Sequence, residues 1–216
     1  MKLNEITSTE VDLIGMKIDD FKITGTYEED TFDGNFDCSH FGVTSLRGAP
    51  ENIYGKFDCS FNPISSLEHG PQYVEASYVV MSCERIRSLE HCAKQVGKLL
   101  LRDILIKDLE HASEFIHSTL LLSNLLVLTD LHDVHRHVKR VYTIQFSGMN
   151  IKSSVLGLLL VGDLKSIENT RPLGKDWEFV TESILPKYIP NTIGRSAVLQ
   201  CQNELLDHGF DEYAKL

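Results

Sequence analysis

A repeat of 21 residues constrains the fold of this chain more than any other feature of its sequence. Residues 33–53 and 54–74 match in the same phase at positions that include Phe36/Phe57, Cys38/Cys59, Val43/Ile64, Ser45/Ser66, Leu46/Leu67, Pro50/Pro71 and Ile53/Val74. Self-similarity at a short fixed period is typical of solenoids, in which each repeat forms one coil and stacks on its neighbours. The chain is therefore predicted to fold as a stack of coils.

Each repeat has the apolar pattern of a leucine-rich repeat. In residues 54–74, apolar residues stand at positions 1, 4, 6 and 11 of the unit, and Asn62 stands at position 9. The alternation Phe57-Asp58-Cys59 predicts a short strand whose first and third side chains point inward. A unit of this length has no room for a crossover helix. We therefore predict a β-rich solenoid, a right-handed leucine-rich-repeat-like stack of 20–23-residue coils with a parallel sheet on one face.

The sequence divides into three regions. Residues 1–32 do not fit the repeat and are predicted to form an irregular N-terminal cap, because an uncovered solenoid end would open the core to water. The solenoid is predicted to span residues 33–169 in six or seven coils. Residues 170–216 are predicted to form a linker and a C-terminal helical cap, with a short amphipathic helix at Gly194–His208. An interaction helix is the alternative for this last segment.

Charge and hydropathy limit the partners and the compartment. The net charge is −10, and residues 1–37 alone contribute −7. An acidic surface repels DNA and anionic lipid, so neither nucleic acid nor a membrane is an expected partner. The sequence has no apolar run of the ~20 residues that cross a bilayer and no secretory signal pattern, so an intracellular protein is predicted. Cysteines in that compartment are expected to be reduced core thiols.

The outward residue of each strand is predicted to form a column along the sheet. Its members are Asp37, Asp58, Val80, Leu100, Leu121 and Gln145, flanked by Tyr78, Lys98, Arg102 and Thr119. This register places Val79 and Met81 inward and Glu84 at the asparagine position. Adjacent strands are about 5 Å apart, so the three apolar members would form one patch. The patch predicts an interface for a protein partner or a second copy; the alternative is that residues 170–216 cover it.

Three other clusters suggest chemistry only weakly. His69, His91 and His111 recur at one repeat position, which is compatible with metal binding or pH sensing but equally with exposed turns. Residues 132–140 form a basic cluster that suits an anion or a solvated turn. A Cys83 or Cys92 nucleophile with His91 is conceivable, although no catalytic motif is present. No catalytic residue, metal ligand or cofactor is therefore predicted.

Two fragments carry a family resemblance. Residues 36–50 (FDCSHFGVTSLRGAP) and 57–71 (FDCSFNPISSLEHGP) resemble the leucine-rich-repeat-like proteins encoded by large tailed bacteriophages. The resemblance is strong over residues 33–74 and weak over 75–169. It implies a phage protein that acts in the cytoplasm of a bacterial host, and it carries over no catalytic residue.

Combined with the column, this resemblance leads to the hypothesis of a non-enzymatic phage accessory protein. Such a protein would bind and inhibit a bacterial host protein, such as a component of antiviral defence. The alternative is a structural or assembly component of the phage that associates with itself, for example as a homodimer. A small thiol- or histidine-dependent enzyme is the third hypothesis.

Overall fold

The fold is a parallel β-solenoid of about seven turns with one main sheet. The computed structural model describes residues 12–14, 24–28, 30–149, 151–172, 174–189 and 195–215. The strands are β1 Thr24–Glu28, β2 Thr31–Asp37, β3 Asn52–Ile53, β4 Phe57–Asp58, β5 Tyr73–Met81, β6 Gln95–Arg102, β7 Phe115–Ser123, β8 Thr143–Ser147 and β9 Ser166–Arg171. The helices are α1 Val134–His137, α2 Lys175–Phe179 and α3 Arg195–Asp207, with 3₁₀ turns at Leu156–Leu160 and Leu185–Lys187 and a π turn at Val180–Ile184.

Strands β2 to β9 run parallel because every coil brings the chain back in the same direction. Phe36 pairs with Phe57, which pairs with Tyr78, and the same level continues through Leu99 and Leu120. Both β3 and β4 belong to one coil and pair with β2 on one side and β5 on the other. Most neighbouring coils are thus 21 residues apart. The predicted stack of short coils with a parallel sheet is confirmed.

The third coil is shifted by one residue from its predicted register. Tyr78 and Val80 point inward and are buried, whereas Val79 pairs with Asp58 and Leu100 in the outward column. Four consecutive apolar residues at 78–81 allow two registers, and a slip of one residue exchanges the two faces of a strand. The prediction that Val80 points outward and that Val79 and Met81 point inward was therefore wrong.

The asparagine position explains how the coils are tied together. Asn62 is buried, and its amide Nδ2 donates to the carbonyl oxygens of Cys38 and Cys59 at 2.8 and 3.0 Å. Its Oδ1 accepts from the backbone N–H of Val43 at 3.2 Å. In the next coil the Cys83 Sγ lies 3.5 Å from the carbonyl oxygen of Cys59, so Cys83 and not Glu84 occupies this position.

Two turns in each regular coil require left-handed backbone. The first follows the strand at His40, Phe61, Ser82, Asp103, Asn124 and Gly148, where φ lies between 49° and 65°. The second is at Gly48, His69, His91 and His111. These recurring positive φ angles let a short unit close without a helix. The histidine repeat seen in the sequence marks this second turn.

The described residues of the C-terminal segment pack against the far end of the stack. Trp177 packs edge-on against Phe146 with ring centroids 5.1 Å apart. The Tyr213 hydroxyl donates to the Ile151 carbonyl at 3.0 Å, and Val155 N–H donates to the Tyr213 carbonyl. The amphipathic stripe of α3 buries Val198, Cys201 and Leu205 in the same core.

The N-terminal region is described only in part. Most of the predicted cap at 1–32, including Glu5, Glu10, Asp19 and Asp20, lies outside the described residues. Leu13 is buried and its N–H donates to the Arg47 carbonyl, while Asp12 forms an ion pair with Arg47 at 2.7 Å. Strand β1 adds to the sheet edge by pairing antiparallel with β2. Among the described residues, the helices are all too short or too polar to cross a bilayer.

Candidate protein-binding face

The outward face of the sheet carries one continuous central column of side chains. The strand register aligns Asp37, Asp58, Val79, Leu100, Leu121, Gln145 and Glu168. On one side of the column, Ser77, Lys98, Thr119, Thr143 and Ser166 are in register. On the other side, Met81, Arg102, Ser123, Ser147 and Arg171 are in register.

The fold brings together six of the eight residues predicted for this face. Asp37, Asp58, Leu100 and Leu121 form the column, and Lys98 and Arg102 flank it on opposite sides. Tyr78 and Val80 do not belong to it, because both side chains point into the core. Val79 and Glu168 are members that were missed. A strict 21-residue phase from Asp58 identifies Val79, so that signal was present in the sequence.

The column is acidic at the end formed by Asp37 and Asp58, and contacts within the protein hold both carboxylates in place. Asp58 is only 5% exposed, although it points away from the core. Lys56 Nζ lies 2.7 Å from the Asp58 carboxylate, and the Ser60 N–H donates to Asp58 Oδ1 at 3.0 Å. The Ser39 N–H donates to Asp37 Oδ1 in the same way. These contacts fix the two carboxylates in position before any partner arrives.

The centre of the column is apolar and partly covered. Val79 is 2% exposed, whereas Leu100, Leu121 and the neighbouring Met81 are half-buried. Lys98 and Arg102 are exposed beside them. An apolar centre with a polar and charged rim is the arrangement found in protein–protein interfaces.

The far end of the column is polar again. Gln145 Nε2 donates to the Glu168 carboxylate at 2.6 Å, which links β8 and β9 across the outward face. The column therefore has carboxylates at both ends and aliphatic side chains between them. Asp58 and Glu168 stand five strand spacings apart, or about 24 Å.

An aromatic pair lies beside the acidic end, just after strands β2 and β4. The His40 and Phe61 rings stack with centroids 4.2 Å apart and planes 9° from parallel. Both residues have left-handed backbone, which a bulky side chain adopts at a cost of roughly 1–2 kcal/mol. Phe61 is nevertheless 47% exposed. The left-handed backbone here is the turn that recurs in the coils, whereas the exposed aromatic ring of Phe61 is a favourable anchor for a partner.

The repeated histidines do not form a metal site in the described part of the chain. His69, His91 and His111 each stand 3.6 to 3.9 Å from the glutamate that precedes them. Among the described residues, no group of three or more His, Cys, Asp or Glu side chains is arranged to hold a metal ion. These histidines occupy exposed turns.

The cysteines are buried thiols. All five are free and lie in the core. Burial raises the pKa of the Cys92 thiol to about 11, so this thiol is protonated at neutral pH. Hydrogen bonding from Cys59 lowers the pKa of Cys83, but Cys83 is fully shielded from solvent. Reactive cysteines need both a thiolate and access to a substrate.

Comparison with known proteins does not assign this chain to a family. No protein-family model, curated protein or solved structure matches the chain.

Proposed function

We propose that this chain is a non-enzymatic binding solenoid and that the outward sheet face is its docking surface for another protein. The observation that carries this proposal is the column itself, in which the half-buried Leu100 and Leu121, with Val79 buried beside them, stand between carboxylate ends. Outward positions of a solvated sheet are normally polar, and three aliphatic residues in succession are a departure from that pattern.

The column specifies the chemistry of its partner. A complementary surface has an apolar centre and basic groups near both ends, about 24 Å apart. Seven strand levels give a face of about 30 Å by 15 Å, or about 450 Å². A stable interface buries about 800 Å² on each partner. The partner therefore extends beyond the sheet, and the His40–Phe61 pair is the neighbouring surface best suited to receive it.

Electrostatics favour a different protein over a second copy as the partner. A second copy turned so that its stack runs the opposite way would set Asp37 opposite Glu168. A second copy with its stack in the same direction would set Asp37 opposite Asp37. Either arrangement places carboxylate against carboxylate at the ends of the face, which opposes association. A basic partner relieves this repulsion.

We further propose, from the resemblance of residues 33–74 to phage leucine-rich-repeat-like proteins, that the partner is a bacterial host protein. In this proposal the chain acts in the host cytoplasm and inhibits its target by occupying a surface the target needs. A component of antiviral defence suits that role. The carboxylates of Asp37 and Glu168 would steer a basic target towards the face, and the apolar centre would slow its release.

The test is capture from a lysate of the bacterial host with matched variants of the tagged protein. Leu100→Asp and Leu121→Asp place a charge in the apolar centre, and Leu126→Asp places one at a 74% exposed leucine outside the face. The proposal expects one stoichiometric host protein to be captured by the wild type and by Leu126→Asp but not by the two face variants. Equal capture by all four proteins, with circular dichroism showing all four folded, would refute this assignment of the face.

A further inference from the structure

The coil containing β7 is longer than the coils before it. Leu99 pairs with Leu120, which is 21 residues later, but Leu120 pairs with Ile144, which is 24 residues later. The additional chain includes the short helix α1, whose Val134 is buried while Arg136 is exposed. Insertions in a repeat map to loops on one face, and that face is often used for binding.

A hollow of about 260 Å³ lies where this insertion meets the preceding coils. Its lining comes from three successive turns of the chain and consists of Lys94, His111, Ala112, Glu114, Arg136, His137 and Lys139. Sequence analysis identified only the last three as part of a basic cluster. Stacking of the coils adds Lys94 and His111, which are distant from them along the chain.

The hollow is positive in an acidic protein. It holds three permanent cations and one carboxylate, Glu114, which lies 3.4 Å from Lys94 Nζ. Arg136 contacts Asp133 through Nε at 3.1 Å. The terminal nitrogens of the guanidinium can therefore donate hydrogen bonds to a further acceptor. Lys139 Nζ donates to the Arg136 carbonyl and so stays close to the guanidinium. The cationic groups are held together by these contacts.

A second hollow beside the first has the opposite charge. It has a volume of about 370 Å³ and is lined by Asp108, Glu110, Asp130 and Asp133 together with Lys107, His132 and His137. His137 belongs to both hollows. A long polyanion crossing the basic hollow would meet these carboxylates, so the arrangement selects a compact anion and opposes nucleic acid.

We propose that the basic hollow binds a phosphate monoester. Arginine donates two parallel hydrogen bonds to the oxygens of a phosphate group, and lysine adds a positive point charge. Lys94 and Lys139 belong to the coils on either side of Glu114, Arg136 belongs to the same lining, and the volume exceeds that of one phosphate group. The site is independent of the proposed docking face, because it lies at the turns that precede β6, β7 and β8.

The test is a titration of the full-length ¹⁵N-labelled protein with inorganic phosphate, followed by amide chemical shifts. The proposal expects saturable shifts at residues 111–114 and 136–139. Because a hydrogen bond to a charged group contributes about 1.5–3 kcal/mol, Arg136→Ala and Lys94→Ala should each weaken binding about tenfold or more. Lys152→Ala, which removes an exposed lysine outside the hollow, should leave the midpoint unchanged. Equal midpoints in Arg136→Ala and the wild type, or shifts spread over unrelated lysines, would overturn the proposal.

Two further ligands distinguish the source of the phosphate. Adenosine monophosphate represents a small phosphorylated metabolite, and a capped phosphoserine represents a modified protein side chain. Tighter binding of the nucleotide than of phosphate assigns the hollow to a small molecule, and tighter binding of the phosphoserine assigns it to a protein ligand. Binding of neither at the hollow, with the same amides unperturbed, would refute a monoester site.

Discussion

Tyr78 places a polar hydroxyl group in the apolar core. Its ring is fully buried and packs edge-on against Phe57, with centroids 5.1 Å apart. The hydroxyl oxygen has no hydrogen-bond partner among the described residues. Burial raises the pKa of Tyr78 well above its usual value, so the phenol stays neutral. A neutral hydroxyl buried without a partner still costs about 1–3 kcal/mol of desolvation.

Replacing Tyr78 by Phe should therefore increase stability. We expect the free energy of unfolding to rise by about 1 kcal/mol, since the ring is kept and only the unpaired hydroxyl is removed. Urea denaturation measures the change. Tyr213→Phe is the matched control, because the Tyr213 hydroxyl donates to Ile151 and its removal should lower stability. A loss of stability in Tyr78→Phe comparable to that in Tyr213→Phe would show that the Tyr78 hydroxyl is in fact satisfied.

In contrast to the Tyr78 hydroxyl, the side-chain amide of Asn62 forms hydrogen bonds with several buried backbone groups. Replacing it by Ala removes the donors to Cys38 and Cys59 and the acceptor for Val43. We expect a loss of about 3 kcal/mol, because each orphaned buried group costs about 1–3 kcal/mol. Asn203→Ala, at an exposed position of α3, should change stability by less than about 0.5 kcal/mol. Equal denaturation midpoints for the two variants would contradict the structural role of Asn62.

These two residues also show what could be predicted from the sequence. Asn62 and the matched Phe and Cys positions indicated the solenoid directly, because a repeat exposes its core positions by recurrence. Tyr78 was assigned to the surface, because four adjacent apolar residues do not specify which face of a strand is buried. The hollow at Lys94 and His111 could not be predicted, since it depends on which turns stack beside an insertion.

At the scale of elements, Glu204 joins α3 to the turn that precedes it in the C-terminal segment. Lys187 Nζ donates to Glu204, and the Tyr188 hydroxyl donates to the same carboxylate at 2.5 Å. These two hydrogen bonds, that from Lys187 first, hold the pKa of Glu204 below its ordinary value of about 4.5. The contact with Glu204 in turn raises the pKa of Tyr188 to about 12.

The lowered pKa makes the contribution of Glu204 depend on pH. A carboxyl whose folded pKa is depressed stabilises the fold above its unfolded pKa, and this stabilisation is lost as pH falls through the folded value. Glu204→Gln should lower the free energy of unfolding at pH 7 by up to about 1 kcal/mol, as expected for a partly exposed ion pair. The difference in the free energy of unfolding between variant and wild type should vanish at a pH below the range in which carboxyl groups titrate.

Thermal unfolding at pH 7 and pH 3 measures this effect. Glu212→Gln is the matched control, because Glu212 pairs with Lys215 on the surface and is highly exposed. It should change the melting temperature little at either pH. An undiminished gap between Glu204→Gln and wild type at pH 3 would mean that the side chain acts through packing and not through its charge.

At the scale of the whole molecule, a solenoid has two ends that its own repeat cannot cover. Phe146 in β8 and Ile151, which follows that strand, are buried near the far end of the stack, where the C-terminal segment contacts both. Trp177 is the centre of this closure, with Phe146 on one side at 5.1 Å and Tyr213 on the other at 6.2 Å. Its side chain is 1% exposed and belongs to the same continuous core as the coils.

Loss of this closure should change both stability and association. Trp177→Ala removes a large buried ring, which typically costs 3–5 kcal/mol, and it loosens the cover over the last coil. The open end of a parallel stack presents unpaired strand edge and apolar side chains, which promote association between copies. Denaturation should therefore show a lower midpoint, and sedimentation velocity should show oligomers whose population grows with protein concentration. Phe179→Ala, in the same helix but at a 40% exposed ring, should sediment as the wild type does and lose little stability. If Trp177→Ala is destabilised yet sediments as the wild type does at every concentration, the C-terminal segment contributes packing alone, and protection of the end must come from the coils themselves.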